Sequence, residues 1–241
     1  MKRHLLRISV FAIAFFCSLS AVGNPQESSQ DFRRIYIARH GQRPSKGDPS
    51  LTDLGKEQAR MLGERLKAEG FKGNIYASPY LRTVETAVEI AKVTGGKVAL
   101  NPLIQERTHK LGSPDIKGRT QSELSKIFPG MILDSPKLEY PWVYTDNSGE
   151  KLKENVEKAI QEALKADGRD FILVGHKATV KAALEILGKQ AGVQIEAEIW
   201  NCTLLYFVIS DSGSVKFVEC GTGFIPPQKI TNNQKPPLLT E

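Results

Sequence analysis

The sequence predicts an α/β domain of three layers, α/β/α, with a mostly parallel central sheet and an antiparallel edge strand. Three observations predict it. Short β-rich runs alternate with amphipathic helical stretches through most of the chain, the pattern of crossover connections in a parallel sheet. Two of the runs end abruptly at a histidine, in Arg39-His40-Gly41 and in Val174-Gly175-His176. Two closing strand-like runs are joined by Ser210-Asp211-Ser212-Gly213, a turn sequence that makes a hairpin. With 241 residues, 40% apolar and 25% charged, the chain has the length for one sizeable core and the composition of a globular one.

Taken from the N-terminus, Lys2, Arg3 and Arg7 form a basic start, and Ile8 to Phe16 is apolar except for Ser9. Ala21 and Gly23 stand where a signal peptidase requires small residues, so residues 1–23 read as a secretory signal peptide and the mature chain as periplasmic or secreted. The apolar run is shorter than the roughly 18–20 residues that span a bilayer, which makes an uncleaved anchor the weaker reading. No stable membrane insertion is expected after cleavage. Residues 24–32 form a polar, flexible lead-in, 33–224 the folded domain, and 225–241 an extended or disordered tail carrying Pro226, Pro227, Pro236 and Pro237.

Within the domain, Arg34 to Ala38 is a strand. Thr52 to Gly70 is a helix, with Leu54, Ala59, Leu62, Leu66 and Ala68 at helical spacing and Thr52 as its cap. Asn74 to Ala77 is a strand and Pro79 to Thr94 a helix; Lys97 to Leu100 is a short strand. Residues 107–149 are a long, irregular excursion with one short helix near Gln121 to Phe128. Glu150 to Ala166 is an amphipathic helix, Asp170 to Gly175 an apolar strand and Ala178 to Leu187 a helix. The hairpin strands are Cys202 to Ile209 and Val215 to Cys220.

Charge and cysteines exclude some functions. Loss of residues 1–23 removes three basic residues and no acidic one, lowering the formal charge from +6 to +3, too little to argue for nucleic acid or a membrane surface. Cys202 and Cys220 flank the hairpin turn almost symmetrically, so either a cross-strand disulfide or two separate thiols fits, depending on one residue of register. Neither has metal-ligand spacing, and no metal is expected.

His40 and His176 each follow a strand, and in open α/β sheets ligands gather at the carboxyl ends of strands. Arg39 puts a guanidinium beside His40, and Gly41 allows close approach. A neutral imidazole with its second nitrogen held is a competent nucleophile, and arginine forks match phosphate oxygens.

Several segments now resemble one family. Ile37-Ala38-Arg39-His40-Gly41 looks like the signature of the histidine phosphatase superfamily, the phosphoglycerate mutase-like branch. Leu51-Thr52-Asp53-Leu54-Gly55-Lys56-Glu57-Gln58-Ala59 resembles its first helix start, Ser78 to Ala87 its second arginine motif, Glu106-Arg107 its acid motif, and Val174-Gly175-His176 its second histidine motif. The resemblance implies an enzyme, a phosphomonoester hydrolase of small phosphorylated substrates that needs no cofactor. It implies that His40 becomes phosphohistidine, that Arg39, Arg82 and His176 line the phosphate pocket, and that Glu106 acts as acid and base. Arg43, two residues past the signature, is a further phosphate-binding candidate, with a solvated loop arginine as the alternative. Lys177 follows His176 where the acid-phosphatase branch has aspartate and the mutase-like branch glycine. His109 and Lys110 are weaker substrate-selecting candidates. A phosphoglycerate-type mutase and a noncatalytic phosphate-ligand module stand as competing functions. Oligomeric state is not legible.

Overall fold

The computed structural model describes residues 32–45, 47–107, 119–134, 149–166 and 170–233. In chain order the elements are β1 (Phe32–Arg39), α1 (Asp53–Ala68), β2 (Asn74–Ala77), α2 (Leu81–Thr94), β3 (Val98–Leu100), α3 (Gln121–Ile127), α4 (Gly149–Lys165), β4 (Phe171–Gly175), α5 (Lys177–Gln190), β5 (Leu204–Ser210) and β6 (Val215–Gly221). They form one six-stranded sheet in the order β3-β2-β4-β1-β5-β6. The first four strands of that row are parallel; β5 runs antiparallel to both β1 and β6. The expected mostly parallel sheet is present. The hairpin supplies two strands to it, with β5 internal and β6 at the edge.

Alternation of side chains builds the layers. In β1, Ile35 and Ile37 face a core with Val156 and Ile160 of α4 and Val180 and Leu187 of α5. Tyr36 and Ala38 face the opposite core, with Leu62 and Leu66 of α1 and Val84 and Ile90 of α2. A central strand covered on both faces needs apolar residues at every position, which is why β1 and β4 read as continuous apolar runs rather than alternating ones. The strand β1 begins earlier than its apolar run, because Phe32 to Arg34 pair with Ser210 to Val208.

Register decides where the site lies. One row crosses the whole sheet through Leu100, Ala77, Val174, Ala38, Leu204 and Gly221. The parallel strands all end at that row or one residue beyond it, so Ser78, His176 and His40 leave the sheet on the same side. The chain enters β5 there too, through Asn201, Cys202 and Thr203.

The hairpin begins later than its apolar pattern suggests. Cys202 precedes β5 in a left-handed backbone conformation, φ 55°. Cys220 is level with Leu205 rather than with Cys202. Cys202 packs into the α1/α2 core and Cys220 against the other one, and both thiols are free. Register therefore favours the separate-thiol alternative.

The stretch from 225, expected to be an extended or disordered tail, is packed as far as residue 233. Ile225 and Thr231 are buried, and Pro227–Lys229 makes a turn of 3-10 helix. Its backbone is held by polar side chains of the domain: Gln58 Nε2 donates to the Lys229 carbonyl (2.6 Å), and Asn201 Oδ1 accepts from the Asn233 amide (2.7 Å). Residues 234–241 lie outside the described residues, as do residues 1–23, where a signal peptide is expected, most of the expected lead-in, His109 and Lys110. Among the described residues no helix is long and apolar enough to cross a membrane.

Candidate active site

The signature loop after β1 is fixed by backbone packing. A Cβ on Gly41 would lie 2.4 Å from the Gly55 carbonyl oxygen, and one on Gly55 would lie 2.1 Å from the Gln42 oxygen. Both positions need glycine because the loop presses onto the first turn of α1, a packing reason in place of the ligand approach expected of Gly41. Thr52 caps that turn by accepting from the Gly55 amide (3.0 Å) and donates to Gln42 Oε1 (2.7 Å). Buried Gln58 accepts from the Gln42 amide at 2.9 Å. The Gly41 amide donates to Thr86 of α2 (3.0 Å), tying the loop to the next helix as well.

His40 is buried at the start of this loop. Its Nδ1 lies 2.8 Å from the Gly41 carbonyl oxygen. A carbonyl only accepts, so Nδ1 carries the proton and Nε2 keeps its lone pair. Burial, and then the charges of Arg82, His176 and Arg39, push the His40 pKa well below its ordinary 6.5. The ring is therefore neutral at physiological pH.

His176 comes from β4 and stands just before α5, and its ring meets that of His40 edge-on at 5.5 Å between centroids. Its Nδ1 is 3.3 Å from Glu106 Oε2, and its Nε2 is 3.0 Å from Ser78 Oγ. Burial lowers the His176 pKa, with Glu106 opposing the shift. Burial alone would raise the Glu106 carboxyl, but His176, Arg82 and His40 together hold it well below the usual carboxylate range. An ionised carboxylate beside Nδ1 makes that nitrogen the donor, leaving Nε2 to accept from the Ser78 hydroxyl.

Two deeply buried arginines complete the group. Arg39 Nη1 donates to the Ile199 carbonyl and to Asn232 Oδ1, each at 2.8 Å. Burial pushes Arg39 down to about 10, so it stays charged at neutral pH. Arg82, in the first turn of α2, donates through Nη1 to Asp48 Oδ1 (3.0 Å) and through Nη2 to Glu106 Oε2 (3.4 Å). Its guanidinium lies over the Tyr80 ring, 4.5 Å from the centroid. Arg43 is half-buried and donates to the Pro44 carbonyl (2.8 Å); burial and the charge of Arg82 lower its pKa. Nε of Arg39, Arg43 and Arg82 is buried with no hydrogen-bond partner among the described residues. Buried Arg39 and Arg82, whose charges act on neutral His40 and in the case of Arg82 on His176 as well, suit an anion with several oxygens, because each carries positive charge and has a proton left to donate.

His40, Glu106 and His176 also bring one ligand atom each within 4.8 Å of one another, spacing a metal ion can use. The surrounding Arg39, Arg43 and Arg82 charges oppose a dication there and favour a phosphate.

Arg39, His40, Arg82, Glu106 and His176 thus meet at one sheet edge, with Arg43 beside them. Half-buried Lys177 opens α5. Sequence reasoning missed Asp48, Ser78, Asn201 and Asn232. Ser78 and Asp48 carried a signal, since each lies within a few residues of a helix start; Asn232 had only the polar run Thr231-Asn232-Asn233.

The model of the histidine phosphatase superfamily, branch 1, matches residues 35–218. The chain belongs to that superfamily. Among its relatives is the mitochondrial serine/threonine-protein phosphatase PGAM5 of Xenopus tropicalis, 28% identical over 217 residues, spanning 83% of this chain and 68% of the relative. Among solved structures, the ecdysone phosphate phosphatase of Bombix mori in complex with tungstate superposes with a TM-score of 0.59 at 21% identity, covering 81% of this chain and 94% of that one. A phosphoglycerate mutase from Bacillus anthracis superposes at 0.52 and 19% identity, covering 81% and 95%. These likenesses share the mixed, mostly parallel sheet flanked by helices. As a superfamily member the chain is a phosphatase or mutase, with no specific reaction fixed by the comparison.

Proposed function

We propose that this chain is an exported phosphomonoester hydrolase that works through a phosphohistidine at His40. One observation carries the reading: His40 Nδ1 is held by the Gly41 carbonyl at 2.8 Å, so a neutral ring keeps a free Nε2 within the field of Arg82 and Arg39.

The groups divide the chemistry as follows. A phosphate monoester dianion enters between Arg39, Arg82 and His176. The arginine donors take its equatorial oxygens, with Arg43 at the rim, and the His176 Nδ1 proton turns to the phosphate once Glu106 is protonated. The dianion's two negative charges offset that of Arg82, one of the groups that with His176 hold Glu106 ionised, and so raise the carboxyl's proton affinity. Nε2 of His40 forms a bond to phosphorus as the bond to the leaving oxygen breaks. Protonated Glu106 gives that oxygen its proton and the alcohol departs. Glu106, now a carboxylate, removes a proton from water; the resulting hydroxide attacks phosphorus, and the bonding pair returns to Nε2 as inorganic phosphate leaves. Little covalent work falls to the protein beyond His40, and positioning with charge complementarity supplies the remainder.

The decisive experiment uses p-nitrophenyl phosphate without added metal. The chain should turn it over, and His40→Ala should reduce turnover by about 10³-fold or more, the loss expected when a nucleophile is removed. Equal rates would sink the His40 mechanism. Rapid exchange between phosphoglycerate isomers without phosphate release would move the assignment to a mutase. Relatives named as phosphatases support the hydrolase reading.

Export rests on residues 1–23, with their basic start, short apolar run and small-residue exit. N-terminal sequencing of the protein from a periplasmic or culture fraction should begin at Asn24. An intact Met1 in the cytosolic fraction would overturn this placement.

A further inference from the structure

The loop between β1 and α1 carries Asp48, a residue that the hydrolase reading does not use. Gly47 precedes it at φ 67°, a left-handed turn that glycine adopts without strain. The Asp48 side chain is 10% exposed and faces the start of α2. Its Oδ1 accepts from Arg82 Nη1 at 3.0 Å, and its Oδ2 accepts from the Leu81 amide at 2.7 Å. Arg119 Nε stands 3.8 Å from the same Oδ2.

The two short bonds belong to consecutive residues of one helix turn. The Leu81 amide is among the orphan donors of α2, and a carboxylate there also complements the positive end of the helix. The same carboxylate fixes one terminal nitrogen of Arg82. A second terminal nitrogen lies against Glu106 and His176 (3.4 and 3.3 Å), and Nε remains buried without a partner among the described residues. With Nη1 fixed, the planar fork cannot rotate without breaking that bond. The direction of its remaining donors is then set before any ligand arrives.

We propose that Asp48 is the positioning residue for Arg82: its carboxylate joins the first turn of α2 to the Arg82 guanidinium and presents the remaining donors to the phosphate oxygens. Asp48 touches no reacting atom in this scheme. Its contribution passes through Arg82, and it rests on the phosphate-pocket reading above.

A double-mutant cycle on the full chain tests it, using Asp48→Ala, Arg82→Ala and the pair, with p-nitrophenyl phosphate turnover and orthovanadate binding as parallel readouts. With Arg82 present, Asp48→Ala should lower kcat/KM about 10–100-fold and weaken vanadate; in the Arg82→Ala background it should change either by less than about threefold, the non-additivity of residues acting as one unit. The same loss in both backgrounds, or none with Arg82 present, overturns the proposal. Should Asp48→Ala fail to fold, Asp48→Asn keeps an acceptor oxygen for the Leu81 amide while losing the charge that faces Arg82, and the same cycle is read on it. A chain that binds vanadate but turns over no aryl phosphate sinks the hydrolase reading alone, and the vanadate arm still decides the role of Asp48. A chain that binds no vanadate overturns both.

Discussion

Gly41 and Gly55 meet backbone to backbone, and that contact sets where His40 stands. A Cβ at either position would fall within 2.4 Å of a carbonyl oxygen, where only main chain could yield. Gly41→Ala and Gly55→Ala should each destabilise the domain by about 1–3 kcal/mol, the usual cost of overpacking a closed contact. Because the Gly41 carbonyl also accepts the hydrogen bond from His40 Nδ1, movement of the loop alters the nucleophile itself. Urea unfolding should show the stability loss, and the fraction still folded should turn over aryl phosphate more slowly per molecule. Wild-type stability and rate in both variants would contradict the contact.

The cysteines should stay apart. Cys202 packs into one core layer and Cys220 into the other, with Cys220 level with Leu205. Burial raises both thiol pKa values, further for Cys202, so neither is a ready thiolate. Peptide mapping without reduction, after aerobic purification, should return Cys202 and Cys220 as separate unbridged peptides. A linked pair would require a different register for the closing hairpin.

How much of this was legible follows from the range of the forces involved. The apolar runs of β1 and β4 and the period of α1 announced themselves, because burial on a sheet or helix face imposes a local pattern. His40 and His176 were legible as a pair because each sits directly after a strand. The hairpin's start was misread since Cys202 is apolar like the strand it precedes, yet its φ of 55° takes it out of the ladder. The packed stretch 225–233 was missed because prolines there read as loose chain. What orders that stretch is a set of long-range hydrogen bonds to Gln58 and Asn201, which no local pattern reports.

Acid should weaken the folded protein in two stages. His40 and His176 both have pKa values below 6.5 when folded, chiefly from burial. As pH falls through the unfolded value near 6.5, the unfolded chain takes up protons that the folded chain refuses, so stability is full above that pH and declines below it. Each such histidine contributes at most about 1.4 kcal/mol per pH unit. Glu106, also depressed when folded, adds to the loss once the pH drops below its unfolded value of 4.5. Urea unfolding of the ligand-free chain at pH 7.5, 6.5 and 5.5 should show falling stability, with a shallower slope in His40→Gln. A stability independent of pH over this range would mean that the rings are not held neutral.

Asn232 offers the sharpest test of the C-terminal segment. Its side-chain oxygen and the Ile199 carbonyl are the two acceptors for Arg39 Nη1, each at 2.8 Å. Asn232→Ala removes one of them and should weaken orthophosphate or vanadate binding by about tenfold, the scale of one hydrogen bond to a charged group. Asn232→Asp keeps the acceptor but adds a negative charge behind Arg39. That charge should hold the guanidinium firmly and partly cancel the field it offers the ligand. The aspartate variant should therefore be at least as resistant to urea as the alanine variant, yet bind the oxyanion no better and turn over more slowly. If Asn232→Asp instead matched wild type in both binding and rate, Arg39's charge would not be what the pocket uses. If Asn232→Ala bound vanadate like wild type, the segment would be packing against the domain without setting the geometry of its phosphate site.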